Sequence, residues 1–144
     1  MRLSGFWRFG KNVIGMRINE KWWNAARGKE YGYDWVAMKM LFVCSRNRLR
    51  SPSAEVVFSS YRGVEAMSAG TNADAEVCVS ADLIEWAEII FVMEGVHRRR
   101  LNRRFGSVLR DKKIVVLGIP DEYGYMDEAL VELLRQRVEP HLRA

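Results

Sequence analysis

Met40-Leu41-Phe42-Val43-Cys44-Ser45-Arg46-Asn47-Arg48-Leu49-Arg50-Ser51-Pro52 reads as an apolar strand, a polar loop and the start of a helix. Met40 to Val43 is a short unbroken apolar run, as suits a strand buried on both faces. Ser51-Pro52 is a helix-start signal: serine can cap a free amide, and proline at the first helical position gives up no hydrogen bond. Ala54, Val57, Phe58 and Tyr61 then fall at helical spacing and make one apolar face.

The loop holds Cys44 and Arg50 six residues apart, with Ser51 directly after. A loop entering a helix from a strand end converges its backbone N–H groups and adds the positive helix end. Such a nest holds a dianion without a metal. It also favours a thiolate at its mouth, which makes Cys44 the candidate nucleophile. Arg50 offers a planar fork suited to two oxygens of a phosphoryl group.

Cys44, five intervening residues, then Arg50-Ser51, placed after the first strand, resembles the low-molecular-weight protein tyrosine phosphatase family. Asn47 matches that family's loop asparagine, a residue type that tolerates left-handed backbone. Arg46 stands where a small glycine is usual, and Leu49 where a second cysteine is usual. The resemblance implies that Ser45, Arg46, Asn47, Arg48, Leu49 and Ser51 form or support the phosphate loop. It covers residues 38–142, with further matches at Ser68-Ala69-Gly70-Thr71 and Ile89 to Glu94. The segment between Thr71 and Ser80 is short for this family.

Outside the loop, strand and helix signals alternate. The first helix is expected to run to about Arg62 and end at Gly63. Val64–Ala69 is a second strand, and Ser80 caps a short helix through Leu83, Ile84 and Ala87. Ile89–Met93 is a third strand, Glu94–Phe105 a helix, Ile114–Leu117 a fourth strand and Asp127–Val138 the last helix. Alternation of this kind argues an α/β domain, a doubly wound four-stranded parallel sheet with helices on both faces. Ligands in such sheets bind beyond the carboxyl ends of the strands, where Cys44 falls.

A thiolate displacement at phosphorus needs an acid for the leaving oxygen, which then serves as base for water. Ile119-Pro120-Asp121-Glu122-Tyr123-Gly124-Tyr125 follows the fourth strand. Asp121 matches the family's acid, with Glu122 where a proline is usual and Tyr123 at the aromatic position. Tyr123 and Tyr125 are candidate walls for an aromatic ester. Asp127 is the rival acid, but its position suits the cap of the last helix.

Composition narrows the classes. At 144 residues, 49% apolar and 28% charged, the chain holds one ordinary domain. Cys44 and Cys78 give no disulfide framework or metal-ligand spacing, so a reducing, cytoplasmic setting is expected. His97 and His141 show no ligand spacing either, and no metal or cofactor is expected. No apolar stretch has the length of a membrane span. The net charge is +5, but residues 1–37 hold seven Lys/Arg against three Asp/Glu and residues 38–144 hold sixteen against fifteen. Nucleic acid is therefore not favoured as a partner. Residues 1–37, with four of the five tryptophans, read as a poorly ordered or non-native extension, with a short helix around Ile18–Ala26. The arginines at 98–100 and 103–104 beside His97 read as a solvated helix face.

The expected activity is metal-independent phosphomonoester hydrolysis through a phosphocysteine, with a phosphotyrosine protein as substrate. Arsenate reduction on the same loop is one alternative; it needs resolving cysteines, and only Cys78 is available. A phosphate- or RNA-binding module without turnover is another. The sequence carries no signal for oligomeric state.

Overall fold

The computed structural model describes residues 37–142, together with the backbone of a two-residue antiparallel ladder, Asn12–Val13 with Met16–Arg17. The helix expected around Ile18–Ala26 lies outside the described residues. From Met38 the elements follow in strict alternation. They are β1 (Met38–Cys44), α1 (Arg50–Ser59), β2 (Val64–Gly70), α2 (Ala81–Trp86), β3 (Ile89–Val92), α3 (Gly95–Phe105), β4 (Lys113–Val116) and α4 (Glu128–Val138). A single turn of 3-10 helix, Glu139–His141, follows.

The four strands form one parallel sheet in the order β2-β1-β3-β4. The step from β1 to β2 goes one way and the step from β2 to β3 returns across β1. The crevice between the carboxyl ends of β1 and β3 is therefore the switch point, where open α/β sheets bind ligands. Residues Met40 to Cys44 are all buried because both faces of β1 are covered.

Strand alternation divides the core in two. Met40, Phe42 and Cys44 face α1 and α4 with Phe58, Phe91, Leu130 and Leu134. Leu41 and Val43 face α2 and α3 with Ile84, Ile90, Val92 and Leu101. Phe42 stacks between Phe58 (5.5 Å) and Phe91 (5.2 Å), which pins the middle of β1 just before the loop.

Some local expectations hold. Ser80 caps α2 by accepting the N–H of Leu83, and Asp127 caps α4 by accepting that of Ala129 at 2.8 Å. The start of α1 differs. Its first helical residue is Arg50 and its cap position is Leu49, with no side-chain cap bond. Pro52 is thus the third helical residue, still inside the turn whose amides lack intrahelical acceptors. Ser51 does not cap, because its hydroxyl is committed elsewhere. The helix also ends at Ser59, short of Arg62, and Gly63 sits at φ +81° in the turn into β2. Among the described residues, no helix is long and apolar enough to cross a membrane.

Candidate active site

The loop from Cys44 to Arg50 is shaped by bonds on its outer side. The carbonyl of Cys44 accepts from Thr71 N–H (3.0 Å), that of Ser45 from Asn72 (2.9 Å) and that of Arg46 from Glu76 (3.1 Å). Every peptide here is trans, so the N–H of each following residue points the opposite way. The amides of Ser45, Arg46 and Asn47 therefore turn away from the β2–α2 segment, to the inner side of the loop. That of Asn47 reaches Cys44 Sγ at 3.3 Å. Asn47 makes the turn possible with φ +57°, the left-handed conformation asparagine accepts at low cost. The predicted nest is present, built by the segment that crosses from β2 to α2.

Gly70 lets that segment come close. A Cβ on it would lie 2.5 Å from Ser45 O and 2.7 Å from Ala75 Cβ, distances no side chain could keep.

Behind Cys44 runs a chain of side-chain hydrogen bonds. Ser68 Oγ donates to Glu55 Oε1, and Asn47 Nδ2 donates both to Ser68 Oγ (2.9 Å) and to Ser51 Oγ (3.0 Å). Ser51 Oγ accepts from Asn47 and lies 3.0 Å from Cys44 Sγ, with Ala69 O a farther acceptor for its proton at 3.4 Å. A hydroxyl and an amide thus both face the sulfur. Cys44, Asn47 and Ser51 are all buried.

Arg50 is buried in the first turn of α1, and three groups hold its guanidinium. Nη1 donates to Glu94 Oε1 at 2.6 Å and to Ile119 O at 2.8 Å, and Nε lies 3.6 Å from Asp121 Oδ1. Charge-assisted bonds of the Glu94 kind are the strong ones. They join the ends of β1, β3 and β4 in one place. Cys44, Arg50 and Asp121 thus converge as the sequence suggests. Asp121 is 66% exposed, beside the buried guanidinium.

The remaining loop residues form the rim. Arg46 and Arg48 are exposed and lie 4.0 Å from Asp74 and 3.5 Å from Glu76 respectively. Exposed pairs of this kind contribute little to stability. Leu49 is exposed, and its carbonyl accepts from Ser53 N–H and from Ser53 Oγ. Ser53 Oγ in turn accepts Met126 N–H at 2.9 Å, which ties the loop after β4 to α1. Tyr123 packs partly against the core, whereas Tyr125 is 54% exposed.

Two residues escape sequence reasoning. Glu94 reads as a helix start, yet its carboxylate orients Arg50. His97 reads as part of a solvated arginine face and is in fact fully buried. Its Nδ1 accepts Glu94 N–H at 3.0 Å, so its proton sits on Nε2 and is donated to Ser45 Oγ at 3.0 Å. Burial, with the charge of Arg50 next in weight, pushes the His97 pKa down to about 4. The imidazole is neutral at physiological pH, and Ser45 keeps a hydroxyl proton to offer an anion. The spacing Glu94-x-x-His97 at a strand-to-helix junction is the capping-box pattern that could have flagged both.

Cys78 is an exposed free thiol that points at the carbonyls of Ala73 and Asn72, at 3.5 and 3.6 Å. Among the described residues no cluster of His, Cys, Asp or Glu could hold a metal ion.

No family model matches the chain, and no curated protein matches it. Solved structures do. The YwlE arginine phosphatase from Geobacillus stearothermophilus is 22% identical with a TM-score of 0.59, over 72% of this chain and 92% of that one. The tyrosine phosphatase AmsI from Erwinia amylovora is 23% identical with a TM-score of 0.58, over 76% and 95%. A YwlE mutant whose active-site serine is phosphorylated is 23% identical with a TM-score of 0.56, over 72% and 95%. Likeness at this level establishes a shared fold, spanning nearly the whole of each of those chains.

Proposed function

We propose that this chain is a metal-independent phosphomonoester hydrolase working through a phosphocysteine on Cys44. The observation that carries the reading is the loop itself: Asn47 N–H and the Ser51 hydroxyl meet Cys44 Sγ, and the same loop ends at Arg50, buried and held between Glu94, Ile119 O and Asp121. In the first step Cys44 Sγ attacks phosphorus and the ester oxygen leaves, taking a proton from Asp121. The three equatorial oxygens meet loop N–H groups, Ser45 Oγ and Arg50, donors already in place when charge shifts. In the second step Asp121 takes a proton from water, which attacks phosphorus and returns the thiolate to Ser51 and Asn47.

The fold shared with the two phosphatases and with a mutant phosphorylated on its active-site serine supports the same chemistry here. We favour protein phosphotyrosine as substrate, because Tyr123 and Tyr125 follow the proposed acid in the same loop. A reducing, cytoplasmic setting fits two free cysteines, one of them the nucleophile. Arsenate reduction has less support: Cys78, the only second thiol, faces backbone carbonyls. The test is turnover of an aryl phosphate by the full chain. Vanadate should inhibit competitively, chelators should have no effect, and Cys44→Ala should be inactive while still folded. Undiminished turnover by Cys44→Ala would overturn the reading.

A further inference from the structure

Residues 95–110, which comprise α3 and the turn after it, carry arginines at 98, 99, 100, 103, 104 and 110 and no acid. The rest of residues 38–144 carries ten Lys/Arg against fifteen Asp/Glu. A domain close to neutral as a whole therefore concentrates its positive charge on one helix face. A face that serves solubility alone mixes signs; this one does not.

The charge is also uncompensated among the described residues. Arg98, Arg99, Arg103, Arg104 and Arg110 are exposed, and none of the six is ion-paired among the described residues. Arg100 bonds Thr71 Oγ1 and Asn72 Oδ1, and Arg104 bonds Thr71 O; all are neutral acceptors that leave the guanidinium charge intact. Those contacts join the face to the site, since Asn72 N–H also holds Ser45 O and α3 begins at Glu94, the partner of Arg50.

We propose that the exposed arginines of α3 form a docking face for an acidic segment beside the phosphorylated residue of a polypeptide substrate. The inference rests on the phosphatase reading and narrows its substrate class. Positions 98 to 103 span about 7 Å along the helix, and an extended peptide advances about 3.3 Å per residue. Roughly two or three acidic residues in an extended peptide would therefore cover the arginines. Charge complementarity of this type raises the association rate and falls with salt.

The test compares two phosphotyrosine peptides with the full chain, one flanked on both sides by glutamates and one by glutamines, alongside an aryl phosphate. Wild type should favour the glutamate peptide in kcat/KM by roughly ten-fold at low salt, what a few exposed ion pairs supply, with the preference fading as salt rises. In Arg98→Glu/Arg99→Glu/Arg103→Glu the preference should vanish or invert, with aryl phosphate turnover unchanged. Equal use of both peptides by wild type, or an unaltered preference in the variant, would overturn the proposal. So would tight binding of a single-stranded RNA to the same face with no selective binding of the glutamate peptide. Binding of the two peptides to Cys44→Ala, read by fluorescence anisotropy, tests the face separately from hydrolysis. Glutamate-selective binding there without wild-type turnover would sink the hydrolase reading alone; equal binding would sink the docking face.

Discussion

Asn47 Nδ2 donates to Ser51 Oγ at 3.0 Å, and that oxygen in turn lies 3.0 Å from Cys44 Sγ. The same amide group anchors to Ser68, so one residue both makes the turn of the loop and braces the hydroxyl that faces Cys44. Asn47→Gly should separate the two duties. Glycine keeps φ +57° but loses both side-chain bonds, so stability should fall by about 1–3 kcal/mol. Turnover should drop together with the reactivity of Cys44 toward iodoacetamide at neutral pH. Thermal melts and alkylation rates check it; wild-type alkylation would show that these bonds do not act on the thiol.

Arg50 is fixed by Glu94, and the pair should behave as a unit. Arg50→Lys should lower kcat/KM on the order of a thousand-fold, because an ammonium cannot replace a planar fork. Glu94→Gln keeps one acceptor for Arg50 and should cost less, with the loss mainly in kcat as the guanidinium loses its set orientation. Steady-state kinetics on an aryl phosphate measures both. A milder effect at Arg50 than at Glu94 would reverse the roles assigned to them.

Gly70→Ala places a methyl group 2.5 Å from Ser45 O, in the backbone of the phosphate loop. The sheet below is untouched, so the domain should still fold while the loop is pushed open. Inhibition by vanadate should weaken more than ten-fold, a few kcal/mol of overpacking being spent on distortion. Unchanged vanadate affinity with a normal melt would mean that the β2–α2 crossing does not shape the nest.

His97 gives the fold a pH dependence. Its folded pKa of about 4 lies below the ordinary 6.5, so the unfolded chain binds the extra proton first. The contribution is complete above pH 6.5 and is lost as pH falls toward 4, with a slope of at most about 1.4 kcal/mol per pH unit. His97→Gln should flatten that part of the curve in denaturant melts between pH 4 and 7. An equally steep curve in the variant would assign the slope to other groups.

Much of this was legible locally. The apolar run into Cys44, the asparagine at a left-handed position and Asp127 as the α4 cap each depend on near neighbours in sequence, and the structure has them as read. Ser51 shows where local reasoning stops. Serine before proline signals a cap, but a hydroxyl goes to its best partners, here a thiol brought by β1 and an amide donor brought by the loop. His97 shows the same from the other side. Its neighbours are charged, so the pattern reads as surface, yet the crossing from β3 to α3 turns that one side chain inward onto Ser45. Glu94 took its role from Arg50, forty-four residues away. Contacts at such separation leave no local trace.

The central claim is a phosphoryl group carried by Cys44, and Asp121 supplies the means to catch it. Asp121→Asn removes the base for water, while an activated aryl phosphate needs little acid help to lose its phenolate. The phosphocysteine should then form quickly and persist. Mixing Asp121→Asn with such an ester, quenching in acid and mapping the chain by mass spectrometry reads this directly. The expected result is one phosphoryl group per chain, on Cys44, matched by a burst of one phenolate and absent from Cys44→Ala/Asp121→Asn. A burst with no phosphorylated residue, or phosphate on any residue other than Cys44, would contradict the account.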